Sequence, residues 1–243
     1  MSDNNTHHAL SFATLVQLFF TEYLVSQRAM SPCTIASYRD SMLLFLDFAQ
    51  SQLGISPTKL SLRDVNPDLI LAFLNHLEQK RHNAVRSRNL RLAALRAFLN
   101  FAGRRDVSYL QDVELALGVP MKRFETPMLD YLTREEMVAV LGEPGNTWTT
   151  KRDHLLLNVL YNTGSRVSEI IKVTVGDVIL AGSAFVHIHG KGRKERTTPL
   201  WKSTVQEIRG WLQQNPLLSS NSALLPNRYG HAMTRFNVTQ RLK

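Results

Sequence analysis

Between residues 11 and 26, in SFATLVQLFFTEYLVS, the apolar residues Phe12, Leu15, Leu18, Phe19 and Leu24 recur at mixed three- and four-residue spacings, which predicts an amphipathic helix. A second stripe follows in MSPCTIASYRDSMLLFLDFAQ, where Ile35, Tyr38, Met42, Phe45, Leu46 and Ala49 fall on one face. Ser31 can cap that helix, and Pro32 suits its first position, where a missing N–H costs nothing. After a loop over SQLGISPTKLSLRDVNP, a third helix is expected at 68–79 through Ile70, Phe73, Leu74 and Leu77. A fourth is expected from about Ala84 to Ala102, with Leu90, Ala94, Ala97, Phe98 and Phe101 as its core face.

From residue 103 the helical spacing lapses, and GRRDVSYLQDVELALGVPMKRFETPMLD carries Pro120 and Pro127. A linker is therefore expected over 106–130, between a domain at 10–105 and another at 131–243, with residues 1–9 a disordered terminus. The second domain opens on YLTREEMVAVL, where Thr133 and Glu136 have the spacing of a capping box and Met137, Val140 and Leu141 would form the buried face. Residues 151–162 predict a further helix with Leu155, Leu156, Val159 and Leu160 inward, broken by the turn at 162–164. AFVHIH then alternates, placing Phe185, His187 and His189 on one face and Val186 and Ile188 on the other. GKGRKE makes a hairpin turn and RTTPL returns antiparallel. A helix at about 203–214 and the start of another in TRFNVTQRLK complete a mainly α chain with a small antiparallel β element.

The length of 243 residues suits two ordinary domains. No run approaches the roughly 18 apolar residues of a membrane span, and MSDNNTHHAL lacks the order of a signal peptide, so a cytoplasmic protein is expected. The single cysteine, Cys33, excludes an intramolecular disulfide and a Cys-rich zinc site. Charge changes the picture most. Lys and Arg number 29 against 20 Asp and Glu, a net +9, as expected of a polyphosphate binder. From Lys80 to Arg105 there are eight basic residues (Lys80, Arg81, Arg86, Arg88, Arg91, Arg96, Arg104, Arg105) and no acid. A face serving only solubility usually mixes signs, so duplex contact is expected from Arg86, Arg88, Arg91 and Arg96, with Arg88 and Arg91 on a side away from the core.

Two features carry chemistry. In YNTGSRVSEIIKV, Arg166 lies between a turn and a helix start, where open N–H groups favour an anion and a guanidinium adds bidentate phosphate recognition. Glu169, three residues on, is spaced to orient it. In HGKGRKER, Gly190 and Gly192 flank Lys191 at the hairpin tip and allow close backbone approach, with Arg193, Lys194 and Arg196 alongside. A lysine there can act as a movable general acid and neutralise phosphate charge. Taken singly, each also fits a plainer role: an exposed helix cap for Arg166, a basic turn protecting a sheet edge for the hairpin.

Together, YNTGSRVSEIIKVTVGDV followed closely by HIHGKGRKERTTPL resembles the first half of the catalytic domain of tyrosine recombinases, the phage-integrase and Xer-type site-specific recombinases. SPCTIASYRDSMLLFLDFA and RSRNLRLAALRAFLNFA are similar to the family's N-terminal core-binding domain, so the resemblance spans roughly residues 10–243. It implies a four-helix SAM-like core-binding domain and a mixed α/β catalytic domain that grip duplex DNA as a C-shaped clamp. The implied chemistry is strand cleavage by a tyrosine, through a 3′-phosphotyrosyl link, and religation, with no cofactor. By position, Arg166 matches the first catalytic arginine, Glu169 its acidic support and Lys191 the catalytic lysine. Thr34, Arg193 and Lys194 join the four α-helical arginines as candidate DNA contacts, and self-association on DNA or with a full-length recombinase is expected.

The family's His-x-x-Arg box and nucleophilic tyrosine would follow Lys243, so the catalytic domain reads as incomplete. Of six tyrosines, Tyr229 in PNRYGHAM is the one late candidate for a substitute nucleophile. His187 and His189 could ligate a metal, but no third ligand is evident. A reading from another class is a non-catalytic DNA-binding module that regulates or competes with a full-length recombinase. A helix-turn-helix regulator leaves the hairpin unexplained.

Overall fold

A computed structural model describes residues 10–128, 130–190, 192 and 194–241. The chain divides into two compact units, Met1–Met128 and Leu129–Lys243. Each has its own core.

The first unit is helical. α1 starts at Phe12 under a Ser11 cap and passes, at Phe19–Gln27, into a π-helical stretch. α2, Pro32–Leu53, begins as its sequence predicts, with the Ser31 hydroxyl accepting from the Thr34 amide and Pro32 in the first turn, and ends on Gly54 at φ 68°. That φ lies in the left-handed region that glycine enters without a Cβ penalty. The loop after it is more ordered than its turn-rich sequence suggests. It holds two short 3₁₀ turns, Pro57–Lys59 and Leu62–Asp64, the second fixed by a Ser61–Asp64 capping box. Leu60, Leu62 and Val65 from this loop enter the core. α3 spans Pro67–Gln79 and α4 Val85–Arg105.

α4 departs from expectation in phase. Leu92, Leu95, Leu99 and Ala102, together with Ala94, Phe98 and Phe101, are buried, whereas Leu90 is exposed. The helix packs against α2, α3 and a further helix, so its buried sector is wider than one stripe and is centred elsewhere. That further helix, α5 at Leu110–Leu117, lies inside the stretch expected to be a linker. Val113 and Ala116 bury its inner face in the first core, which Val119 joins just beyond the helix. A Cβ on Gly103 would stand 3.1 Å from Val113 Cγ1, so the glycine admits a close approach of α4 and α5.

The second unit opens with α6, Arg134–Leu141, whose Thr133–Glu136 capping box forms as predicted. Its expected buried face does not: Met137 and Leu141 are half-buried and Val140 is exposed. α7, Trp148–Thr163, buries Leu155, Leu156 and Val159 as predicted and is followed by the four-residue α8, Val167–Ile170. A three-stranded antiparallel sheet, ordered β1 (Val178–Ile179), β2 (Phe185–His189), β3 (Glu195–Pro199), covers them. β1 is only two residues long, too short to show an alternation in the sequence. Val186 and Ile188 point into the core and His187 and His189 away from it, as the alternation predicts. α9, Lys202–Gln214, and α10, Arg235–Arg241, close the unit with Ile208, Trp211 and Val238 inward. Trp211 Nε1 donates to Leu224 O at 2.8 Å, which pins the segment between α9 and α10 to the core.

Phe98 is 1% exposed and meets the rings of Phe12 and Phe19 edge-on at 5.4 and 5.6 Å. Phe98→Ala is expected to lower the unfolding free energy of the first unit by about 3–5 kcal/mol in urea titrations followed by far-UV circular dichroism.

Candidate functional site

Local signals set the turn that carries Arg166. α7 ends on Gly164, at φ 59°, whose amide donates to Leu160 O at 2.9 Å, and the left-handed residue turns the chain away from the helix axis. Arg166 follows in extended conformation at φ −71° and ψ 147° and precedes the first turn of α8. Glu169 reaches back: Oε2 accepts from the Arg166 amide at 3.1 Å and Oε1 from Arg166 Nη1 at 3.0 Å. The spacing in the sequence predicts this pairing. With four residues, α8 is too short for its dipole to matter, so the attraction for anions resides in guanidiniums.

A third partner is non-local. Arg196 on β3 donates from Nη2 to Glu169 Oε2 at 2.8 Å and to Ser165 Oγ at 2.9 Å. The Glu169 residue is buried, 5% exposed, while the Arg166 side chain is 76% and that of Arg196 41% exposed. The Arg196 hydrogen bond, then the Arg166 amide, outweigh the opposing effect of burial and hold the carboxyl at about 2, so it is ionised at any working pH. Arg166, Glu169, Gly190, Gly192, Lys194, Glu195 and Arg196 line an open cleft of about 600 Å³. Lys194 O accepts from the Gly190 amide at 2.6 Å and closes the hairpin base. Lys191 and Arg193, both expected at the hairpin tip, lie outside the described residues, as do residues 1–9.

His189 links the hairpin to its surroundings. Nδ1 lies 3.0 Å from Glu195 Oε1 and Nε2 lies 3.5 Å from Asp177 Oδ1. Glu195, then Asp177, raise the titration of the imidazole above its usual value. Burial pushes the Asp177 carboxyl up, but the Thr174 amide and hydroxyl and His189 together bring it below the usual range. His187 instead meets the Phe185 ring and Thr197 Oγ1, so the two imidazoles serve separate contacts. Among the described residues no group of three or more His, Cys, Asp or Glu side chains converges as a metal site would.

In the first unit the expected open face of arginines is corrected at Arg88. Its side chain is 6% exposed, and Nε lies 2.9 Å from Glu78 Oε1, while Lys122 Nζ holds Glu78 Oε2 at 2.6 Å. Arg91 is half-buried and donates to Ser41 Oγ at 3.0 Å, tying α4 to α2. Thr34 belongs to the α2 cap, its hydroxyl 2.9 Å from Ser31 Oγ. Arg86 is exposed and Arg96 half-buried. Of the eight basic residues from Lys80 to Arg105, two, Arg88 and Arg105, make ion pairs among the described residues, and the other six carry charge without a carboxylate partner. Tyr229 stands elsewhere, stacked under Arg228 in a different cleft with Arg152 and Asn237. No tyrosine is among the described residues lining the Arg166 cleft.

The fold and site are thus a helical unit joined to an α/β unit that holds two arginines on one buried carboxylate at the base of a hairpin. Sequence comparison makes the family explicit. A model for the phage integrase N-terminal SAM-like domain matches residues 19–106, and one for the phage integrase family matches 130–243. y4rC, a candidate integrase/recombinase of Sinorhizobium fredii, is 38% identical over 234 residues, which cover 96% of this chain and 70% of that protein. Tyrosine recombinase XerD of Shewanella oneidensis is 30% identical, over 92% of this chain and 73% of its own. The chain belongs to the phage integrase family of tyrosine recombinases. The fold agrees: the XerH site-specific recombinase, in a post-cleavage complex with palindromic difH substrate, superposes with a TM-score of 0.66 at 20% identity, over 95% of this chain and 66% of its own. A lambda integrase tetramer bound to a Holliday junction gives 0.66 at 13% identity, over 98% of this chain and 66% of its own. Among the described residues no helix is long and apolar enough to cross a membrane.

Two outcomes test these assignments. Arg88→Ala is expected to cost about 2–3 kcal/mol of stability by denaturant unfolding, since it strips a partner from a largely buried carboxylate, while Arg86→Ala stays within about 0.5 kcal/mol. A histidine whose titration is raised in the fold stabilises it below the unfolded pKa and loses that contribution as the pH rises through the folded value. Glu195→Gln is therefore expected to lower the His189 midpoint in a proton NMR titration of the imidazole Cε1–H.

Proposed function

We propose that the chain grips duplex DNA and holds a backbone phosphate for strand cleavage and rejoining of the tyrosine-recombinase kind. The observation that carries this reading is the Glu169 clasp: two guanidiniums share one ionised, buried carboxylate and open into a cleft beneath a basic hairpin. The remaining positive charge faces the cleft, where it attracts a phosphodiester and stabilises the charge that spreads over the phosphoryl oxygens during transfer.

In the reaction this reading assigns, a tyrosine hydroxyl gives up its proton as its oxygen bonds to phosphorus, the bond to the 5′ oxygen breaks, and the departing oxygen takes up a proton to leave as a 5′ hydroxyl. The strand's 3′ phosphate is then held as a phosphotyrosine, and attack by a new 5′ hydroxyl reverses the step. Arg166 holds the non-bridging oxygens, Glu169 orients Arg166, and Lys191 is assigned as the donor to the leaving oxygen, from its place between Gly190 and Gly192 at a hairpin tip. The first unit contributes non-specific grip through Arg86, Arg96 and their unpaired basic neighbours. Arg88 is assigned to the core of that unit, on its ion pair with Glu78. Thr34, Arg91 and Lys194 remain assigned to the duplex surface, and self-association on DNA follows from the need to bring two strands together.

The test is a salt series of duplex binding by fluorescence anisotropy. Arg166→Gln is expected to lower the slope of log affinity against log salt by about one, as for one lost phosphate contact. An unchanged slope would remove Arg166 from the DNA.

A further inference from the structure

Arg196 lies on β3 opposite Ile188, 27 residues beyond Glu169, and holding a phosphate on Arg166 does not by itself require it. Its guanidinium nevertheless completes the environment of the one buried acid at the site. Oε1 of Glu169 takes Arg166 Nη1, and Oε2 takes both the Arg166 amide and Arg196 Nη2. The same Arg196 nitrogen donates to Ser165 Oγ, in the turn itself.

Two consequences follow from charge and reach. A lone Arg166–Glu169 pair is neutral, and its guanidinium would be drawn wholly toward the buried carboxylate. A second guanidinium satisfies that carboxylate from the other side and leaves the cluster with net positive charge. The contact also lies at the base of the hairpin. A Cβ on Gly190 would sit 3.5 Å from Glu169 Oε1 and 3.7 Å from Arg196 Nη1, so the hairpin backbone is packed on the clasp. Because the sheet register fixes Arg196 relative to Gly190 and Lys194, fastening Arg196 to the turn also fastens the hairpin to it.

We propose that Arg196 is a positioning residue for the phosphate site: it shares Glu169 with Arg166, keeps the cluster cationic, and ties the base of the Lys191 hairpin to the Arg166 turn. The inference rests on the reading of Arg166 as a phosphate donor. It differs from a direct contact in acting through Arg166, and that difference is measurable.

The experiment is a double-mutant cycle on the full chain, with duplex affinity read by anisotropy for Arg196→Gln, Arg166→Gln and the pair, and with circular dichroism confirming that each is folded. Arg196→Gln is expected to weaken binding about tenfold in the parent. In the Arg166→Gln background it should add less than about twofold, because its target is gone. Arg196→Lys, which retains charge on a stem of similar reach, should recover most of the loss. Additive losses, or no loss, would overturn the positioning role.

A second readout needs no DNA. Carbon-13 NMR titration of the Glu169 carboxyl is expected to move up from about 2 in Arg196→Gln, since its strongest partner is removed. A carboxyl that does not move overturns the proposal whatever the binding result. A carboxyl that moves while Arg166→Gln leaves binding unchanged would retain the clasp and dismiss the phosphate reading.

Discussion

A carboxylate taken out of water must be matched by donors, or it gives up its charge. Glu169, at 5% exposure, is matched three times over, by one amide and two guanidiniums. Each donor places a demand on a different part of the second unit. The Arg166 amide and side chain require the chain to turn sharply after α7, which Gly164 permits at φ 59°. Arg196 requires β3 to return antiparallel to β2 in a register that sets Ile188 inward and the arginine toward the turn. The core beneath the sheet is thus not only a stabilising device. Burying Val186 and Ile188 fixes where Arg196 stands.

The same constraint operates in the first unit with a different result. Glu78, at 21% side-chain exposure, draws Arg88 from α4 and Lys122 from beyond α5 to its two oxygens, joining three segments of one core. There the guanidinium is consumed by the fold, whereas around Glu169 the guanidiniums remain open to a cleft. What separates the two is exposure of the guanidinium: 6% for Arg88, 76% for Arg166. A positively charged side chain becomes a binding group only if its neutralising partner leaves one of its faces toward solvent.

The sequence-legible features were those with local causes. Ser31 and Pro32 start α2, Thr133 and Glu136 cap α6, and the strand alternation of AFVHIH places each side chain on the side the structure gives it. Arg166 and Glu169 could be paired because they are three residues apart. Most of the misread features depend on a partner in another element of the fold. Arg88 belongs to a charge run free of acids, yet its carboxylate comes from α3. α5 was hidden by prolines that follow it, although Val113, Ala116 and Val119 keep a three-residue spacing that could have shown it. α6 has a capping box but no buried face, because a cap is decided within one turn and burial by what packs above it. Arg196 stood beside the hairpin motif, and its reach to Ser165 and Glu169 exists only once the sheet has formed.

The arrangement also divides the site by its response to protons. Glu169 stays ionised far below neutrality, so the orientation of Arg166 does not vary over any working pH. His189 sits beside Arg196 at the base of the same hairpin, bridging Glu195 on β3 and Asp177 ahead of β1, and its titration is displaced upward from an ordinary value already close to neutrality. Protonated, it bridges two carboxylates and braces the hairpin base; neutral, it can make no charged contact with either. The contacts of Glu169 with its two guanidiniums are therefore fixed, while the charged links from His189 to Glu195 and Asp177 are lost as the pH rises. Phosphoryl transfer gains from groups that stabilise spreading charge being held rigid, and the clasp around Glu169 is held in that way.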